Sequence, residues 1–136
     1  MRTLTTLIAG AACLAGCSVA ANRSAAEAGI ADFHKALDAG QFDTIYDGAS
    51  PDMKTASAPQ AFGGMLAAVH RKLGAFRSGT AVNWNDSHTM KGEFVTISYA
   101  AIYERGKAQE SFAYRMLSGR AELAGYHIAS DALILN

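Results

Sequence analysis

The chain has 136 residues, twelve Lys plus Arg against twelve Asp plus Glu, with half of all residues hydrophobic and 18% charged. That mix is globular, too apolar and too weakly charged to remain disordered, and its length suits one domain. Zero net charge argues against a nucleic-acid binder, which needs a concentrated basic face; two cysteines and two prolines exclude a disulfide-stapled miniprotein and a proline-rich linker.

The N-terminus reads as an address. Arg2 supplies a positive start and Leu4 to Ala15 an apolar run of twelve residues. A membrane-spanning helix needs about 20, so the run fits a secretory signal instead. Leu14-Ala15-Gly16-Cys17 resembles a bacterial lipobox. There a signal peptidase recognises Leu14, Ala15 and Gly16, whose last two small residues suit a narrow subsite, and cuts before a cysteine whose thiol carries lipid. Residues 1–16 are therefore expected to be a lipoprotein signal peptide, and 17–23 the lipidated Cys17 with a short tether. The single domain is expected over 24–136. Removing the signal leaves 120 residues, takes away Cys13 and Arg2, and gives a net charge of −1. Three acyl chains, at roughly 0.8 kcal/mol per buried CH₂, hold a protein on a membrane far more firmly than one. Ser18 stands where sorted lipoproteins carry an aspartate for inner-membrane retention, so the expected address is the outer membrane, facing the periplasm. Extended at about 3.3 Å per residue, Ser18 to Arg23 reach roughly 20 Å, which keeps the body near the bilayer.

The first helix is expected to start at Ser24, which with Glu27 forms a capping-box pattern. Ala26, Ile30, Phe33 and Leu37 make one apolar stripe, and Gly40 is placed to stop it. Phe42 to Tyr46 suits a short helix, and Gly48 to Pro51 a turn. Ser57 and Gln60, with Pro59 between them, start a further helix whose stripe is Phe62, Leu66, Val69 and Leu73, stopped by Gly74. Gly63-Gly64 weakens it by roughly 1 kcal/mol per glycine, which suggests a close backbone crossing or a later start.

From Gly79 the period falls to two. Val82 and Trp84 belong to a first strand, and Val95, Ile97, Tyr99, Ala101 and Tyr103 to one face of a second. Phe112, Tyr114 and Met116 follow, then Tyr126 and Ile128, and the chain closes on Ala132 to Leu135. Arg105-Gly106-Lys107 and Ser118-Gly119-Arg120 are hairpin turns. The expected fold class is α+β, N-terminal helices packed on one face of a curved antiparallel sheet of about four strands.

This order resembles the cystatin-like and NTF2-like architectures. Leu37-Asp38-Ala39-Gly40-Gln41-Phe42 with Ala49-Ser50, Arg71-Lys72-Leu73-Gly74 with Arg77, and Leu123-Ala124-Gly125-Tyr126-His127-Ile128 resemble a family of small exported bacterial proteins, the DUF4019 type. The resemblance implies a fold and brings no reaction with it.

No catalytic constellation stands out. His34, His70, His88 and His127 fall in no zinc-binding spacing, so no metal site and no cofactor are expected. His34 and His70 read as half-buried packing residues. Nucleophile elbows and phosphate loops are absent. Tyr99, Tyr103, Tyr114 and Tyr126 form one cluster, a speculative pocket lining between sheet and helices. Glu104, Glu110 and Glu122 read as solvated acids at strand ends or turns. The leading expectation is a non-enzymatic, lipid-anchored periplasmic protein that binds an unknown protein of the envelope, with no nucleic-acid partner. Two alternatives are an inhibitor of a secreted toxin or hydrolase, and an NTF2-like small-molecule pocket with a remote isomerase-like variant.

Overall fold

The computed structural model describes residues 14–136, with side chains from Ser18 onward. The expected signal residues 1–13, and the side chains of Leu14, Ala15 and Cys17, lie outside the described residues. Four helices come first: α1 (Leu14–Asp38), α2 (Phe42–Asp47), α3 (Pro51–Ala56) and α4 (Pro59–Leu73). Four strands follow, β1 (Phe76–Thr89), β2 (Gly92–Tyr103), β3 (Gly106–Leu117) and β4 (Arg120–Ala129), and the one-turn α5 (Ala132–Leu135) ends the chain. Among the described residues no helix is long and apolar enough to cross a membrane.

α1 does not begin at Ser24. Helix continues through Ser18–Arg23, where Ala20 and Ala21 are strong helix formers and neither proline nor glycine interrupts. Glu27 turns back to Arg23, one turn earlier, at 2.9 Å, so the capping box is not used. The segment expected to be a short tether is helical, and its Asn22 is already buried. The far end of α1 behaves as its sequence implies. Gly40 takes φ +69°, and the Gly40 and Gln41 amides donate to Leu37 and Ala36 carbonyls, closing a Schellman motif.

Two helical details differ from expectation. Pro51 opens α3 instead of closing a turn, and Ser57 ends that helix; α4 starts at Pro59 without a side-chain cap. A methyl group at Gly63 or Gly64 would meet nothing within 4 Å, so no close crossing explains this pair, and nothing in the structure accounts for it.

The sheet is a meander in the order β1-β2-β3-β4. Ala101 faces Ala108 and Ile97 faces Phe112 across β2–β3. Register shifts at Phe76/Ser78 and Ala81/Asn83 in β1, and at Ala124 of β4 opposite Ala113/Tyr114, bend the sheet around the helices. Both stripes read from the helices are buried, and they pack on Val95, Ile97, Ala101, Phe112, Tyr114 and Met116. The Ser50 amide donates to the Leu123 carbonyl, and Arg115 donates to Asp52 at 2.9 Å, tying α3 to the β4 side of the sheet. The terminal residues expected only as an apolar close form α5, whose Leu133 carbonyl accepts from Lys72.

Phe112 is fully buried and its ring meets those of Phe33, His34, Tyr99, Tyr114 and Tyr126. Phe112→Ala is expected to lower unfolding free energy by about 3–5 kcal/mol in denaturant titration, while Ile102→Ala, at an exposed position on the same sheet, changes it by under about 0.5 kcal/mol.

Candidate functional site

The interior holds a polar cluster that the sequence reading dispersed. Glu110 lies in β3 on the parity of Ala108, Phe112, Tyr114 and Met116, so its side chain turns inward and is 2% exposed. It is not the solvated strand-end acid it was expected to be. His34 follows Phe33 on α1, one turn after Ile30, and is 3% exposed, so it is a core residue and not a half-buried one. Its Nε2 stands 2.8 Å from Glu110 Oε2. The Tyr103 and Tyr126 hydroxyls each donate to Glu110 Oε1 at 2.7 Å. One carboxylate thus collects groups from α1, β2 and β4, using both oxygens.

Aromatic rings enclose this group. Phe76 stacks on the imidazole at 3.8 Å between centroids, with Phe33, Tyr99 and Phe112 around it. His34 Nδ1 is buried and has no hydrogen-bond partner. With Glu110 ionised, Nε2 carries the ring proton and donates it; a second proton, on Nδ1, would be a buried donor without an acceptor. Burial, followed by the charge of Glu110, pushes the Tyr103 and Tyr126 hydroxyls far above the usual phenol range. Burial also raises Tyr99, with Glu110 and Glu27 adding to it, and Tyr114, with Asp32 and Glu110 adding to it.

The four tyrosines all project to the helix side without lining one common hollow. Tyr103 and Tyr126 hold Glu110, and Tyr99 packs beside His34. Tyr114 lies on the other flank, so close to α1 that a methyl group at Gly29 would stand 2.8 Å from its Cε1. There it lines a shallow recess of about 260 Å³ with Asp32, Phe33, Ala36, Ile45 and Leu123. The remaining histidines stay apart from the cluster: His70 is 3.9 Å from Asp38, and His127 is exposed on the sheet. His88 meets Asp86 and Glu93 at the far end of β1–β2, a grouping of possible metal ligands that the sequence reading did not find. Leu14, Ala15, Gly16 and Cys17, the residues of the expected lipobox, fall in the first turn of α1.

A curved four-stranded meander packed against N-terminal helices is the NTF2-like fold. The fold is similar to the crystal structure described as a "Putative Scytalone Dehydratase" from Novosphingobium aromaticivorans. That match has a TM-score of 0.53 and 11% identity over 85% of this chain and 87% of that one. The chain belongs to the family described as protein of unknown function DUF4019, whose model matches residues 31–126. No curated protein matches the sequence.

Two outcomes follow. Glu110→Ala strands three donors in the core and is expected to cost about 3–5 kcal/mol of stability in denaturant titration. Because the folded state raises these phenols, its stability should be intact below about pH 10 and fall as pH climbs past that value, where unfolded tyrosines ionise. Phenolate absorbance from Tyr99, Tyr103, Tyr114 and Tyr126 should therefore appear together with loss of far-ultraviolet circular dichroism, not before it.

Proposed function

We propose that this chain is a lipid-anchored protein of the bacterial envelope whose domain works by binding another envelope component and not by catalysis. One observation carries the second half of the proposal: the cluster with acid–base potential is sealed. Acid–base chemistry requires the proton-transferring atom within reach of substrate. Here the free nitrogen of His34 is buried among rings, and both oxygens of Glu110 are engaged. His34, Glu110, Tyr103 and Tyr126 act as a pin between helix and sheet.

The anchor rests on the sequence: positive start, short apolar run and Leu14-Ala15-Gly16-Cys17. Helix from Ser18 to Arg23 supports a body held close to the bilayer, since each helical residue advances only about 1.5 Å. A second reading, an NTF2-like small-molecule binder, draws on the recess beside Tyr114. Its volume is slightly below the roughly 300–1,000 Å³ of ordinary ligand pockets, so it suits a small, mainly apolar molecule.

Crosslinking in intact cells, with Cys17→Ala and Ala36→Arg variants alongside, tests both parts. The expected result is fatty-acid label on the wild type that is lost in Cys17→Ala, and one stoichiometric partner. Label that persists in Cys17→Ala sinks the anchor. Absence of any partner from the wild type, together with a small apolar ligand displaced by Ala36→Arg, replaces the leading reading with the second.

A further inference from the structure

At the end of the sheet remote from Glu110, β1 and β2 join through Met90 and Lys91, and His88 faces Glu93 directly across the hairpin. Asp86 lies two residues before His88 and so projects from the same face. His88 Nε2 stands 3.6 Å from Asp86 Oδ1 and 3.5 Å from Glu93 Oε1. One ligand atom from each of the three falls within 4.8 Å of the others.

These separations are too long for hydrogen bonds, yet they suit three atoms sharing a cation. Metal–ligand bonds of about 2.1 Å at a tetrahedral angle place neighbouring ligand atoms roughly 3.4 Å apart. The independent sign is Asp86. Its side chain is 10% exposed, and both carboxylate oxygens are buried without a hydrogen-bond partner. A buried carboxylate left so is costly unless a cation or donor meets it. Arg23 lies over the Trp84 ring and pairs with Glu27. From α1, Asn22 Nδ2 donates to Glu93 Oε1 at 2.5 Å, which orients that carboxylate.

We propose that Asp86, His88 and Glu93 form a binding site for a divalent transition-metal ion, with zinc the best fit. One imidazole and two carboxylates favour zinc over calcium or magnesium, which prefer all-oxygen shells. Three protein ligands leave a coordination position for water, and the exposed His88 keeps that side open. Through Asn22, the bound ion would also clamp the start of α1 to the β1–β2 hairpin. The site is independent of the lipid anchor and of the recess beside Tyr114.

Full-length protein, stripped with a chelator, is titrated calorimetrically with Zn²⁺ and in parallel with Ca²⁺ and Mg²⁺, and melted with and without Zn²⁺. The expected result is one zinc per chain, a raised Tm, and no comparable uptake of calcium or magnesium. H88A and D86N should each weaken zinc binding at least about tenfold and abolish the Tm rise, whereas H127A changes neither. D86N removes a buried charge, so its metal-free Tm should be no lower than that of the wild type, which separates lost binding from lost folding. No zinc uptake by the wild type, uptake unchanged in H88A and D86N, or equal uptake of calcium would each overturn the proposal.

Discussion

Glu110 sits in the middle of β3 with its carboxylate out of water, held by His34 from α1, Tyr103 from β2 and Tyr126 from β4. Burying such a charge carries a penalty of several kcal/mol. Hydrogen bonds to a charged acceptor contribute about 1.5–3 kcal/mol each, so three of them offset that penalty only while all three are formed. The geometry of every element around the core is therefore coupled. Sliding α1 by one residue would withdraw His34, and slipping β4 by one would turn Tyr126 to the other face of the sheet. The carboxylate fixes the register of the helix on the sheet, which apolar packing alone leaves less specific.

The same interaction decides what the interior can do. In a fold whose curved sheet and helices can enclose a hollow, this chain places aromatic rings around the polar group. Phe33, Phe76, Tyr99 and Phe112 fill the space through which a substrate would reach His34. The result is a core that spends its acid–base groups on rigidity. At the periphery, Tyr114 reaches a shallow recess between α1, α2 and β4.

The start of α1 is the second organising region. Asn22 binds Glu93 and Arg23 covers Trp84, so the helix is docked on the far end of the hairpin within two turns of Cys17. Residues 18–23 are thereby joined to the β1–β2 end of the sheet as helix and not as free chain. The sheet's opposite end, with α5 and the Lys72 contact, closes independently.

Patterns with a fixed local cause were legible in the sequence. The stripes Ala26-Ile30-Phe33-Leu37 and Phe62-Leu66-Val69-Leu73 are buried as their spacing requires, and the period-two run locates the strands. α3 escaped notice because its six residues carry no repeating stripe. The capping box at Ser24 misled because alanine-rich sequence upstream extends the helix past it. Glu110 shares the parity of Phe112 and Tyr114, a signal that was present but unused because a carboxylate usually stays in water. Asp86-x-His88 followed by Glu93 across a tight hairpin was also in the sequence, but only pairing of the strands makes the three neighbours. Sequence by itself determined the element order, the core faces and the lipobox-like N-terminus, because periodicity and local motifs depend on near neighbours in the chain. Tertiary structure alone decided that His34, Tyr103 and Tyr126 converge on Glu110 and that rings shut them in, because those contacts join residues as far as 76 positions apart.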